Sequence, residues 1–567
     1  MTAQPNRPRI AVVAGATATI LGTDPLVTSN KARLLHGLAP IATVNGKIHD
    51  GDVLRPQRLA APVRVLIEQF SAHPLERDAE HLYGPPDGYV DEQYEFHPVR
   101  TSAADVPVYE AELRPDDGLY MLPYMALRSD GSAWDGDSAD SVGDETSRQP
   151  FFPDASRLFE EIDRFGVRSD GWGSSLARSA DFDFIRAAPS GGYRQGLKAD
   201  LRTDIGSGDI EPETRGQDFF PYRPPALRTE PTRLILGELT NTVQRVAQDS
   251  RYAGLIWLEG SPNLEETLYW LSLLIDTPLP IVGCAAQRAH GSLGAEGDRN
   301  IVDAVTYIIS GAWRNAAGED CIGPVALQDQ LIFSARELFK VNSRPGGFRA
   351  GGLTGGVLGL IDHRSVPRLE FEPRRRFTHD SEVNLKRLAP TTIGLAIESG
   401  SRTVATTAEI LDADGWLIPG AMPVVSIVKM GRYHDDPKAA TWTNDVELRI
   451  GDMLSRSSLA GIVAEGAAPY GTLTEAANDA LRSSVFRGVP VVRVGRGTPE
   501  GIARSDEGDV FLSGSNLSAT KARLVLMACL LRYGALPPAS DPDRPTGPEF
   551  AAVRHQLDQF QRVFDTH

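Results

Sequence analysis

Cysteine is nearly absent: the 567 residues hold three, Cys284, Cys321 and Cys529, widely spaced and without a CxxC pair. That excludes a disulfide scaffold and a four-cysteine zinc site, and makes a reducing cytoplasm the expected home. Positive charge is also in deficit, with 58 Lys and Arg against 75 Asp and Glu and a net charge of −17. The only basic run, Arg374 to Arg376, is too short to offset this, so neither nucleic acid nor an anionic membrane surface is an expected partner. Long apolar runs are missing too, and no window approaches the ~18 residues needed to cross a bilayer. The stretch Ile10 to Gly22 follows Arg7 and Arg9, but Gly15, Thr17 and Thr19 interrupt it, so it reads as a buried strand rather than a leader.

What is present is a globular composition, 41% hydrophobic and 23% charged, with enough material for two to four domains at ~100 to 200 residues each. Ile10–Ala14 reads as a continuous apolar strand that hands over to small residues at Gly15 to Thr19. Leu255–Leu258 repeats that pattern before the loop Glu259-Gly-Ser-Pro-Asn263, a helix over Leu264–Leu274, a strand over Pro280–Gly283 and a helix over Asn300–Ile309. Strand, loop and helix thus alternate as in a doubly wound parallel sheet.

Between Ser71 and Thr229 the composition turns to Asp, Gly, Pro, Ser and aromatics without a sustained period, which reads as an insertion or irregular subdomain. Its most polar part, Ser129 to Thr146, carries Asp135, Asp137 and Asp140 but not the closing Glu of a calcium loop, and is expected to be a solvated loop. Strand signals resume at Val424, Leu459–Ala464, Val489–Val494 and Asp509–Leu512, separated by helices over Thr472–Val485 and Ala519–Tyr533. The expected organisation is α/β: a large domain over 1–375 with a mostly parallel sheet flanked by helices, a connecting segment over 376–421, and a smaller α/β domain over 422–567. No metal triad or phosphate loop is visible, Gly351 to Gly356 reads as a turn before a strand, and no cofactor is expected.

Three residues pair hydroxyl or amine chemistry with such loops: Thr19, Ser261 and Lys340. A hydroxyl is a weak nucleophile until a base takes its proton, and a lysine whose pKa is lowered by burial or charge can be that base. Taken singly, each also fits a bland role as a helix cap or a solvated side chain.

Their surroundings resemble the asparaginase/glutaminase family of threonine amidohydrolases. Gly254-Leu-Ile-Trp-Leu-Glu-Gly-Ser261-Pro-Asn-Leu-Glu-Glu-Thr267 is similar to the family's strand followed by His-Gly-Thr-Asp-Thr-x-Glu-Glu-Thr. Pro280 to Arg288 and Gly294-Ala-Glu-Gly-Asp-Arg-Asn300 fall where the family has Gly-Ala-Met-Arg-Pro and Ser-Ala-Asp-Gly-x-x-Asn. Phe339-Lys340-Val-Asn-Ser343, Gly356-Val-Leu-Gly-Leu-Ile361 and Ser513 through Lys521-Ala-Arg523 follow in the family's order.

The resemblance implies a nucleophile at Thr19, within Ala16-Thr-Ala-Thr-Ile20 where the family has Thr-Gly-Gly-Thr-Ile. It implies a second hydroxyl at Ser261 and its lysine partner at Lys340, while the family's relay aspartate is replaced by Pro262, which has no carboxylate. The family's flexible-loop tyrosine falls near Lys31, and its carboxylate-gripping serine near Glu238, a residue that would repel a carboxylate. Gly260 and Ser261 would supply oxyanion donors, each worth ~3 to 4 kcal/mol in the transition state. His290 is a candidate substrate contact or a surface residue, and Thr472, beside Tyr470, lies on the loop that in the family reaches a neighbouring subunit's site.

Three readings follow. The first is an amidohydrolase cleaving a linear or cyclic amide other than asparagine through an acyl-Thr19 ester, with a small-molecule amide as partner and a homodimer or homotetramer as the assembly. The second is a non-catalytic binding protein on a decayed fold. The third is an ordinary L-asparaginase.

Overall fold

The computed structural model describes residues 7–15, 17, 43–44, 47–48, 63–67, 88–91, 96–113, 162, 176–186 and, with short breaks, 232–567. Thr19, Lys31, Pro262, His290 and the polar stretch 129–146 lie outside the described residues.

The apolar runs at Ile10 and Leu255 form β1 (Arg9–Ala14) and β3 (Tyr252–Leu258), separated in sequence but paired in parallel. β2 (Asp181–Arg186) lies on the other side of β1, and β4 (Ile281–Cys284) on the other side of β3. β5 (Val325–Gln328) continues the parallel set, and β6 (Leu331–Ser334), β9 (Val357–Ile361) and β10 (Pro367–Leu369) extend it antiparallel. The order across the eight-stranded sheet is β10-β9-β6-β5-β4-β3-β1-β2. Between β6 and β9 lies a separate hairpin, β7 (Leu338–Lys340) and β8 (Phe348–Ala350), whose Leu338 and Phe348 are buried in the core of the sheet.

Helices cover both faces, which is why the central strands are apolar at consecutive positions rather than at alternate ones. α1 (Arg233–Gln248) and α2 (Leu264–Leu274) pack with Val13, Leu255, Trp257 and Ile281 on one face; α3 (Glu296–Ser310) packs with Val12, Ile256 and Val282 on the other. Thr232 caps α1 by accepting the Ile235 N–H at 3.2 Å, and Glu265 and Glu266 place negative charge in the first turn of α2, where the helix dipole favours it.

A second, four-stranded parallel sheet runs β13 (Val425–Lys429), β14 (Gly461–Gly466), β15 (Val491–Gly495), β16 (Leu512–Ser513). α4 (Asp445–Arg456), α5 (Glu475–Phe486), α6 (Ala519–Tyr533) and α7 (Gly547–Thr566) accompany it. α2 is shared between the two halves. Its Leu264, Leu268 and Leu271 face the large sheet, while Tyr269, Trp270, Leu273 and Leu274 enter the core formed with α6, α7 and the small sheet.

Several elements go beyond the sequence reading, α1, β5 and β6 among them. β2 lies inside the 71–229 stretch, yet it is hydrogen-bonded to β1 from Arg9↔Asp181 to Ala14↔Arg186, and Ile162, Leu176 and Ala180 are buried in the same core as α3. Part of the insertion is therefore built into the main sheet. The segment 376–421 holds a hairpin of β11 (Thr391–Glu398) and β12 (Arg402–Glu409), and its Val383, Leu385, Leu388, Ile410 and Leu417 share the core of the carboxyl-terminal elements. It is more than an extended connector. α7 begins at a capping box in which Thr546 and Glu549 satisfy each other's backbone N–H groups.

Deleting residues 176–186 uncovers one edge of β1 and removes Leu176 and Ala180 from the core, a loss of ~3 kcal/mol on apolar area alone. Thermal unfolding should report a midpoint lower by about 5 °C or more, or a loss of soluble protein; an unchanged midpoint would show β2 to be dispensable.

Candidate active site

The strands flanking β1 end on one level. Ala14 pairs with Arg186 on one side and Leu258 on the other, and Leu258 pairs with Cys284. The Gly15 N–H then donates to Leu258 O at 2.8 Å, and the Glu259 N–H to Cys284 O at 3.1 Å. The loops after β1, β3 and β4 consequently leave from the same carboxyl edge, the place where open parallel sheets hold their ligands.

Thr17 joins the first two loops. Its hydroxyl donates to Glu259 Oε1 and accepts from the Gly260 N–H at 3.2 Å and from Asn263 Nδ2 at 3.1 Å. Its own N–H donates to Glu259 Oε1 at 2.8 Å. One donor and two acceptor positions are all that a hydroxyl has, so the Thr17 side chain is saturated and acts as a fastener, two residues before Thr19. The fit is close: a Cβ on Gly260 would lie 2.6 Å from Thr17 O, and one on Gly15 would run into the Glu259 carboxylate. Glu259 is only 4% exposed, with Oε2 lacking a partner. Burial pushes its pKa up, and the hydrogen bonds from Thr17 and Gly260 oppose the shift.

Ser261 sits two positions after Glu259, its Oγ buried and without a hydrogen-bond partner. Lys340 ends β7. Its ammonium donates to Gln287 Oε1 at 2.7 Å and to Arg344 O at 2.8 Å, and lies 5.1 Å from the Phe348 ring centre. The relay expected between Ser261 and Lys340 is thus not drawn as a hydrogen bond; the amine goes to the loop after β4 and to its own hairpin. Desolvation pulls the Lys340 pKa down, partly offset by Glu296. Glu296 Oε1 in turn accepts the Gln287 N–H at 2.7 Å and the Gly346 N–H at 3.2 Å, tying the β4 loop to the lysine hairpin. Glu265 Oε2 accepts the Lys340 backbone N–H.

Beside Glu259 and Asn263 opens a cavity of about 200 Å³. Ile235, Leu239, Trp270, Leu524 and Met527 give it apolar walls, and Thr232 and the Arg523–Glu266 pair, 3.2 Å apart, give it polar ones. Among the described residues no cluster of three or more His, Cys, Asp or Glu is placed to hold a metal ion.

The other expected site residues are scattered. Glu238 is buried within α1, away from the lining of that cavity; Thr232, at the start of the same helix, is the α1 residue that lines it with Arg233 and the leucines. Thr472 lies on a turn at the carboxyl end of β14, and both its backbone bonds go to Ala467. Tyr470 on that turn is 47% exposed. Sequence reasoning missed Thr17, Asn263 and Gln287, although all three lie inside the segments it singled out.

Residues 230–357 match the family model described as asparaginase, amino-terminal. This part of the chain is of the asparaginase family. The L-asparaginase of Bacillus licheniformis is 34% identical over 157 residues, which is 27% of this chain and 46% of that protein. L-asparaginase 2 of Bacillus subtilis is 25% identical over 302 residues, 53% of this chain and 66% of that protein. A solved structure, the probable cytoplasmic L-asparaginase of Campylobacter jejuni, aligns with a TM-score of 0.45 and 17% identity over 69% of this chain and 93% of that one. The chain spans about half the length of the first curated relatives it matches. The asparaginase-family segment runs from the α1 cap to the start of β9 and so contains Glu259, Ser261, Gln287 and Lys340.

Glu238 offers a stability test inside that segment. Burial raises its pKa from 4.5 to about 7. Between those values the folded state holds a proton that the unfolded state has released, so stability falls as pH rises through the window, by ~3 kcal/mol at most. Glu238→Gln should raise the melting midpoint by about 2 to 4 °C at pH 8 and leave it unchanged at pH 4.5. An equal shift at both pH values would contradict the assigned burial cost.

Proposed function

We propose that this chain is an asparaginase-like amidohydrolase that cleaves a carbon–nitrogen amide bond of a substrate other than asparagine through an acyl ester on Thr19. The observation that supports the reading is the fastening of the β1 loop to the Gly260–Asn263 loop through Thr17, two residues before Thr19 in the sequence. In this mechanism Thr19 Oγ attacks the carbonyl and the backbone N–H of Ser261 stabilises the oxyanion, the Gly260 N–H being already engaged by Thr17 and Glu259. The proton lost by Thr19 ends on the amine nitrogen as the C–N bond breaks, and the amine leaves or, for a cyclic amide, stays attached. A water positioned by the unpaired Ser261 hydroxyl and deprotonated by Lys340 then hydrolyses the ester. Lys340 reaches that role by exchanging its Gln287 and Arg344 contacts for the water, and its lowered pKa suits it to a base.

The substrate assignment rests on two features. Pro262 has no carboxylate to hold an amino-acid ammonium, and the cavity beside Glu259 offers apolar walls to a group bulkier than an amino-acid backbone. A homodimer completes the site in this reading, with the turn bearing Tyr470 and Thr472 facing a partner's large sheet. The relatives named L-asparaginase favour a second reading, ordinary asparagine hydrolysis, which Pro262 opposes.

Release of ammonia or amine from a panel of linear amides, lactams, cyclic imides, asparagine and glutamine tests both. We expect turnover of a non-amino-acid amide, with Thr19→Ala and Lys340→Met each lowering kcat by ~10³-fold or more. Retention of a tenth of the activity by Thr19→Ala overturns the nucleophile assignment, and asparagine as the best substrate establishes the second reading.

A further inference from the structure

Lys521 is the most completely enclosed charged side chain of the carboxyl-terminal elements, 0% exposed in the first turn of α6, and the mechanism above does not use it. Its ammonium donates to three backbone carbonyls: Ala335 O at 3.0 Å, Arg336 O at 2.7 Å and Leu338 O at 2.6 Å. An ammonium has three N–H donors, and all three are spent on one stretch of chain. That stretch is the approach to β7, which ends at Lys340. The Phe339 ring centre lies 4.4 Å from the same ammonium, and the Tyr269 ring centre 5.5 Å, so the residue between Leu338 and Lys340 is held as well.

Other carboxyl-terminal residues grip the same stretch. Arg336 donates to His567 O at 2.7 Å and to Asn516 Oδ1 at 2.7 Å, and Asn516 Nδ2 donates to Glu337 Oε2 at 2.9 Å. Facing Lys521 from α2 is Glu265, whose carboxylate accepts the Lys340 N–H and supplies the opposite charge that a buried ammonium requires.

We infer that Lys521 is a positioning residue: its buried ammonium fixes the backbone from Ala335 to Leu338 and, with Glu265 on the Lys340 N–H, sets the aim of the Lys340 side chain from the far half of the molecule. The position of Lys340 therefore depends on the docking of α6 against α2. The inference rests on the reading of Lys340 as the base for its catalytic consequence, while the mechanical part stands on the hydrogen bonds alone.

Two readouts besides turnover test it in the full-length protein. The first is hydrogen–deuterium exchange of peptides covering 335–341; the second is the rate of Lys340 acetylation by acetic anhydride across pH, followed by mass spectrometry. In Lys521→Met, shown to be folded by its melting transition, exchange at the Lys340 amide should rise about tenfold or more. The Lys340 labelling profile should move along the pH axis, and kcat should fall about 10- to 100-fold with KM changed less than threefold. A folded Lys521→Met with unchanged exchange and labelling overturns the inference. Should that variant not fold, Glu265→Gln, which keeps the acceptor for the Lys340 N–H but removes the countercharge, should still speed exchange over 335–341, and unchanged exchange there overturns the inference as well. Full turnover in Lys340→Met, together with a loosened hairpin in Lys521→Met, would refute Lys340 as the base and leave the positioning contact in place.

Discussion

The parallel pairing of β1 with β3 is the constraint on which the site depends. Residues more than 240 positions apart are brought level, Ala14 beside Leu258, so the loops that follow both strands emerge together. From that adjacency come the Thr17 hydroxyl bonds to Glu259, Gly260 and Asn263, and with them the placement of the chain just ahead of Thr19. A saturated hydroxyl on a buried carboxylate is a costly fastener to break, because freeing it strands groups that have no water to turn to. Thr17 binds the two loops through its side chain.

The second half of the arrangement hangs on α2. A helix buried on two faces transmits the docking of one core to the other, and its first turn faces both the lysine hairpin, through Glu265, and α6, through the Glu266–Arg523 pair. Lys521 completes the link from the α6 side. Rigid packing of this kind adds to the hold of the main-sheet core, in which Leu338 and Phe348 are buried, and fixes the hairpin that carries Lys340.

Several of the sheet's buried strands were legible in the sequence, although β5, buried at all four positions, was not. Ile10–Ala14 and Leu255–Leu258 read as apolar runs, and α2 and α6 match their expected bounds at Leu264–Leu274 and Ala519–Tyr533. β2 escaped because Asp181-Phe-Asp-Phe184 alternates as an edge strand does, inside a region otherwise without period. α7 escaped although Thr546-Gly-Pro-Glu549 carries a capping signature, and the β11–β12 hairpin escaped because its strands, rich in Thr and Ala, lack strong apolar alternation. In the site, residue types with recognised roles were legible: Ser261 and Lys340 were named, and they lie in the loop after β3 and at the end of β7. Partnerships were not, since the Lys340 contact with Gln287 and the Thr17 contact with Glu259 depend on tertiary placement that no spacing encodes. Glu238 was assigned from the resemblance to the family's carboxylate-gripping serine, and it lies within α1, outside the residues that line the cavity.

The central claim is that a carbonyl carbon becomes bonded to the Thr19 oxygen, and it is tested most directly by trapping that bond. Rapid acid quench during turnover of an amide substrate, followed by tandem mass spectrometry of the peptide between Arg9 and Lys31, should locate an acyl mass on Thr19. An acyl group on Thr17 or Ser261, or steady turnover with no acyl-protein at any quench time, would contradict the account.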